Sequence, residues 1–96
     1  MSTLTVALLQ MTSAGFSQAA NLAKGEGFCR RAIAQGEDIA LFPEMWNIGH
    51  QFFDPAQPET QAIWLQQAID RESAFIRHSC ALARELKMAL ELTYLE

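Results

Sequence analysis

The run Leu4-Thr5-Val6-Ala7-Leu8-Leu9-Gln10 is short, partly β-branched and apolar on both of its faces rather than on alternate residues. A strand of this kind is covered on both sides, the situation of a parallel sheet, whereas a half-solvated strand alternates apolar with polar. A second such run, Asp38-Ile39-Ala40-Leu41-Phe42, ends at Pro43, because proline has no N–H to give to a strand ladder. A third, Met88-Ala89-Leu90-Glu91-Leu92-Thr93-Tyr94-Leu95, lies near the end of the chain. Parallel neighbours need long crossovers, so the stretches between these runs should hold helices.

They have that character. After a loop-like Met11–Phe16 segment containing Thr12, Ser13 and Gly15, Ser17 is a candidate N-cap for a helix from about Gln18 to Gln35, and Gly36 is a natural stop. Leu22, Phe28, Cys29, Ala32 and Ile33 recur at roughly helical spacing. Gly25 and Gly27 interrupt this helix, each at a cost of about 1 kcal/mol relative to alanine. Residues 44–57, rich in aromatic, Gly, Asn and Pro residues, form a long connection of the type that carries function in compact domains. A second helical region follows. Its clearest part puts Phe75, Ile76, Ser79, Leu82, Ala83 and Leu86 on one face and Arg77, His78, Arg84 and Glu85 on the other.

The order is therefore β-α-β-α-β in a single α/β unit, with no repeat, low-complexity tract or linker to divide it. Crossovers between parallel strands are right-handed in nearly all cases. If the strands are laid down in one direction, both helices fall on one face of the sheet and the other apolar face is left bare. These 96 residues are thus expected to be one portion of a larger fold, or to need a second chain on that face.

Composition narrows the classes of function. A chain of 96 residues, 50% apolar and 19% charged, is globular rather than disordered or disulfide-dense. It can bury roughly 65% of its unfolded surface. Seven basic residues, scattered among 11 acidic ones, give a net charge of −4 and no footprint for nucleic acid. The first residues lack the basic region of a secretory signal, and no stretch approaches eighteen uninterrupted apolar residues. No membrane partner is expected, and the reading is of a cytoplasmic protein. Cys29 and Cys80 are then expected to be two small buried hydrophobes.

Glu44, in Leu41-Phe42-Pro43-Glu44-Met45-Trp46, stands just past the predicted C-terminal end of a parallel strand, where open α/β sheets gather ligands. Met45 and Trp46 beside it are expected to desolvate the carboxylate in part, which raises its pKa toward the range of a general base. On these residues alone Glu44 is either such a base or a helix-capping or solvated loop acid. His50 lies in the same loop, as a substrate contact or as a partly exposed loop histidine. Trp46, Phe52 and Phe53 are read as a substrate wall or as loop anchors, and Trp64 with Leu65 as helix packing. His78 and Cys80 are two apart on a helix and diverge by about 200°, so no metal site is predicted. Phosphate-cradling glycine motifs do not occur.

Several segments together carry a family resemblance: Val6-Ala7-Leu8-Leu9-Gln10-Met11; Asn21; Gly36-Glu37-Asp38-Ile39-Ala40-Leu41-Phe42-Pro43-Glu44-Met45-Trp46 with Ile48-Gly49 after it; and Ala83-Arg84-Glu85 through Leu92-Thr93-Tyr94-Leu95-Glu96. They resemble the beginning of the nitrilase superfamily, the carbon-nitrogen hydrolases. The resemblance implies an α-β-β-α sandwich, in which a second sheet covers the bare face. It implies hydrolysis of a non-peptide C–N bond in a small amide, nitrile or carbamoyl compound, with no metal or organic cofactor. The work is done by a Glu, a Lys and a Cys: the Glu is the general base toward the thiol, the Lys stabilises charge on the substrate heteroatom, and the thiolate forms a covalent intermediate that water hydrolyses. A thiol needs a base to become a competent nucleophile, and a tetrahedral intermediate needs fixed positive charge beside it.

Of these three only the Glu carries over, as Glu44; Trp46 and His50 beside it become candidates for substrate binding. Lys24, Lys87, Cys29 and Cys80 do not match the family's Lys and Cys motifs, so the chain alone is expected to be inactive. The resemblance also implies homo-oligomers of the full-length protein. His50, where relatives often carry an aromatic residue, the two helix glycines and the mid-strand Glu91 depart from the pattern. A reading of another class is a noncatalytic α/β module that associates through the uncovered sheet face.

Overall fold

The structure, a computed structural model, describes residues 3–49 and 52–96. Its elements are β1 (Val6–Leu8), α1 (Gln18–Ala34), β2 (Ile39–Leu41), α2 (Pro58–Leu65), α3 (Ala74–Leu86) and β3 (Ala89–Glu91). The three strands form one parallel sheet in the order β1-β2-β3. In this mixed α/β fold the strands are shorter than the apolar runs that announce them. The regular ladder holds three residues of each run, and the chain beyond continues with single bonds such as Leu9 N–H to Leu41 O (2.9 Å) and Phe42 N–H to Glu91 O (3.0 Å).

Register explains how the sheet divides its side chains. Ala7 pairs with Ala40 and Ala40 with Leu90, so one row faces α1 and α3. Around it Leu9, Cys29, Ala32, Ala40, Leu82 and Met88 form the core, and Ala7, Met11, Phe28, Ile33, Phe42, Leu86 and Leu90 pack against it. The neighbouring rows, Val6–Ile39–Ala89 and Leu8–Leu41–Glu91, point the other way, since side chains alternate along a strand. There Leu8 is 64% exposed and Leu4 67%. The expected bare face is present. Glu91, expected in mid-strand, is the last residue of β3 and exposed on that face.

Both main helices begin and end for local reasons. Ser73 caps α3, its hydroxyl accepting from Ile76 N–H (3.3 Å), a sign that the sequence reading did not use. Ser17 precedes α1 without such a bond, so the predicted cap is a boundary residue only. Helix α1 closes at Gln35, with Gly36 beyond it as foreseen. Phe75, Ser79 and Leu82 are buried on α3 while Arg77, His78, Arg84 and Glu85 are exposed, as its periodicity requires. Each fully buried side chain such as Leu82 contributes about 1.5–3 kcal/mol. Across the outer surface of the pair, the Glu26 carboxylate of α1 meets His78 of α3 and Arg30, and Arg30 reaches Glu85 (2.7 Å).

The predicted weakness of α1 at its glycines has two different explanations. A Cβ on Gly25 would lie 2.7 Å from Phe42 Cε2 and 3.1 Å from Trp46 Nε1; the helix approaches the end of β2 so closely that only hydrogen fits. Gly27 meets nothing within 4 Å.

Two expectations are corrected. Cys29 is buried but Cys80 is exposed: position 80 falls outside the Phe75–Ser79–Leu82 stripe of α3. Leu65 does not pack, being 54% exposed. Helix α2 buries no residue, and Trp64 packs beside Phe53, with ring centroids 5.3 Å apart, and Phe52, 6.4 Å away. Among the described residues no helix is long and apolar enough to cross a membrane.

Candidate active site

Strand β2 delivers its chain to the rim of the sheet. Past Leu41 the backbone makes one more bond, from Phe42 to Glu91 O, and Pro43 then ends the ladder. Glu44 opens a run of turns over residues 44–49 and is exposed. Beside it, at the C-terminal ends of the strands, an open depression of about 570 Å³ is lined by Gln10, Met11, Leu41, Phe42, Pro43 and Glu91 among others.

The turn is tightly held. Met45 adopts a left-handed conformation (φ 52°) and Gly49 another (φ 67°). For a non-glycine residue such a backbone costs of order 1 kcal/mol or more and persists only when its surroundings determine it. At Gly49 the reason for glycine is also spatial: a Cβ there would fall 1.9 Å from that of Ser13, so the turn is pressed against the loop after β1. Met45 N–H donates to Thr93 Oγ1 (2.8 Å) and Trp46 N–H to Thr93 O (3.1 Å). The segment that follows β3 thus grips the two amides after Glu44.

Beneath the turn lies a polar network with complete partners. Asn21, fully buried in the first turn of α1, accepts from Ala14 N–H (2.7 Å) and donates to Gly15 O (3.0 Å) and Asn47 O (3.1 Å). Asn47, also fully buried, donates to Gln67 O (3.1 Å) and accepts from Leu95 N–H (3.0 Å). The Trp46 indole N–H donates to Asn21 O (2.8 Å). Buried amides with every group satisfied hold a unique arrangement, because any alternative leaves a polar group unpaired at about 1–3 kcal/mol. One pair of asparagines therefore ties together the loop after β1, α1, the turn after β2, the segment after α2 and the segment after β3.

The expected desolvation of Glu44 by its neighbours is not what this fold gives. Trp46 turns inward, 1% exposed, and Met45 is half-buried, while Glu44 itself is exposed. Trp46 has the packing of an anchor. His50 lies outside the described residues. Phe52 is exposed and Phe53 half-buried beside Trp64. Of the other chemically competent groups, Lys24 Nζ donates to Thr12 O (2.6 Å), and Cys29 sits in the core, where burial and then the nearby Glu26 charge push its thiol up to about 11. That thiol is not a poised nucleophile. Among the described residues no group of three or more His, Cys, Asp or Glu side chains could hold a metal ion. Thr93 and Asn47 escaped the sequence reading as site supports. Asn21 entered only through the family resemblance. A polar amide within an apolar helix face, and another beside a tryptophan, were the available signals.

A three-stranded parallel sheet flanked by helices, with exposed Glu44 in a turn past the proline that ends β2, makes the chain a mixed α/β unit. The family model described as carbon-nitrogen hydrolase matches residues 5–96, and the chain belongs to that family, within the nitrilase superfamily. A search of curated proteins finds no match to the chain.

Proposed function

We propose that this chain is the N-terminal portion of a single carbon-nitrogen hydrolase domain and supplies its general base, Glu44. The family match carries the reading, supported by the position of Glu44 at the C-terminal rim of a parallel sheet. The substrate is a small amide, nitrile or carbamoyl compound, cleaved by an amidase- or nitrilase-type reaction without nucleic acid or membrane partners. Glu44 takes the proton of a cysteine thiol, the thiolate attacks the substrate carbon, and a lysine stabilises charge on the heteroatom. With an amide the C–N bond then breaks and the amine leaves with the proton Glu44 returns; with a nitrile the adduct is a thioimidate that loses ammonia to water. Water hydrolyses the resulting thioester to acid and free thiol. The lysine and cysteine come from the parent protein outside residues 1–96. Trp46 backs the Glu44 turn from the core, and His50 is a candidate substrate contact on its sequence position alone. The exposed Leu4, Val6 and Leu8 receive a second sheet, completing an α-β-β-α sandwich. The parent is a cytoplasmic homo-oligomer.

A base must lie within hydrogen-bond reach of the proton it takes and be present as carboxylate. Glutamine keeps the shape of Glu44 and removes that capacity. In the full-length protein, Glu44→Gln is expected to abolish ammonia release from small amides and nitriles while leaving the circular dichroism spectrum and melting temperature unchanged. Retained activity in this folded variant rejects the base assignment. The second reading, a noncatalytic module that docks a partner through the same exposed leucines, predicts that the full-length protein releases no ammonia from any of these substrates.

A further inference from the structure

We propose that Thr93 is a positioning residue for Glu44, acting through the backbone of Met45; this rests on the reading of Glu44 as general base. Its hydroxyl accepts the Met45 amide at 2.8 Å and its carbonyl accepts the Trp46 amide at 3.1 Å. The first of these amides is the one joined directly to Glu44. Met45 is also one of two non-glycine residues with positive φ among those described, the other being the helix-closing Lys87. A left-handed residue next to the base sets the direction in which the glutamate leaves the sheet, and it stays left-handed only while something holds it. Thr93 is exposed and lies past the last residue of β3, so its side chain is no part of the core. That separates it from Asn21 and Asn47, whose buried amides hold elements together. Near-attack geometry is sensitive to small displacements: an error of about 1 Å costs about a hundredfold. The hydroxyl therefore affects rate by keeping the carboxylate of Glu44 on its target, without touching substrate itself.

Thr93→Val keeps the branched shape and removes the acceptor; Thr93→Ser keeps the acceptor. In the full-length protein, Thr93→Val is expected to lower kcat about three- to tenfold, the factor of one net hydrogen bond, with KM unchanged, and Thr93→Ser to stay within about twofold of the parent enzyme. Amide hydrogen exchange at Met45 should quicken by a similar factor in Thr93→Val, while the Leu9 amide, bonded to Leu41 O in the sheet, keeps its rate. Because the effect runs through the carboxylate, adding Thr93→Val to Glu44→Asp should cost little more than Glu44→Asp alone, whereas a general loosening of the fold would multiply the two losses. Unchanged kcat in Thr93→Val, failure of serine to restore it, or fully multiplicative losses with Glu44→Asp overturns the proposal while Glu44→Gln remains inactive. An active Glu44→Gln enzyme removes the base reading and Thr93's role with it.

Discussion

The two faces of the one sheet are built from the same kind of residue and meet opposite surroundings. Ala7, Ala40 and Leu90 lie against α1 and α3 in a core closed by Leu82, Cys29 and Met88. One residue to either side of Ala7 on β1, Val6 and Leu8 stand exposed, while Ile39 and Leu41 of the central β2 are half-buried. A β-strand turns successive side chains to opposite sides, and right-handed crossovers in the order β1-β2-β3 bring both helices to the same side. Covered and uncovered surface in this chain therefore differ by topology and not by composition. The lesson extends to the rim, where the exposed Glu44 is displayed by a turn whose underside is fully buried and fully hydrogen-bonded.

Thiol chemistry offers the largest contrast. Burial pushes the Cys29 thiol from its ordinary 9.0 to about 11, which leaves about a hundredfold less thiolate at neutral pH, whereas Cys80 is exposed. Alkylation of the native protein at pH 8, followed by mass spectrometry, should label Cys80 first and Cys29 only after denaturant is added. Equal labelling would contradict the burial of Cys29 in the core between α1 and the sheet.

Substitutions in the apolar rows come next. Leu82→Ala should destabilise the chain by about 2–5 kcal/mol through lost burial and the cavity left behind. Leu8→Ala, on the open side, should change the stability of the 96-residue chain by less than about 0.5 kcal/mol. Urea midpoints of the two variants measure this. In the full-length protein a large cost for Leu8→Ala would sharpen the comparison, since it would mean that a second layer covers this face.

The helix glycines give a smaller effect of opposite signs. At solvent-facing Gly27, alanine should stabilise by up to about 1 kcal/mol. At Gly25 the same change drives a methyl group into Phe42 and Trp46 and should cost about 1–3 kcal/mol from overpacking, partly offset by helix propensity. Thermal melts of both variants suffice, and stabilisation by Gly25→Ala would contradict the close approach of α1 to the end of β2.

The least effect is expected at the ionic seam between α1 and α3. Hydrogen bonds from His78 and then Arg30 hold the Glu26 carboxyl below its ordinary 4.5. A folded-state pKa below the unfolded one adds stability above the unfolded value, and that stability is lost as pH falls through the folded one. Glu26→Gln should thus cost a few tenths of a kcal/mol at pH 7. The cost should shrink as pH falls below 4.5 and through the lowered folded-state value, where the carboxyl becomes neutral. A penalty that persists undiminished once the Glu26 carboxyl is protonated would refute the pairing.

Much of this architecture was legible in the chain. Apolar runs without alternation predicted a parallel sheet, their helical spacers predicted α1 and α3, and counting crossovers predicted a bare face. Pro43 marked the end of β2, and Glu44 was visible because it follows that proline. These inferences succeed because strand and helix periodicities and the missing proline N–H are properties of the local chain. The network beneath Glu44 was not legible. Asn21, Asn47 and Thr93 lie 26 residues or more apart in sequence, and nothing local shows that their hydrogen bonds converge. The burial of Cys29 against the exposure of Cys80, and the need for glycine at position 25 but not at 27, depend equally on which elements approach one another.

The sequence by itself determined which segments become strands and helices and where a carboxylate leaves the sheet, because those follow from backbone chemistry within a few residues. Tertiary structure alone decided which face is open, that Trp46 turns inward, and that the turn carrying Glu44 is gripped from the segment after β3. Such outcomes depend on partners brought together across the chain by packing and register, and a hydrogen bond of that kind has no counterpart in sequence spacing.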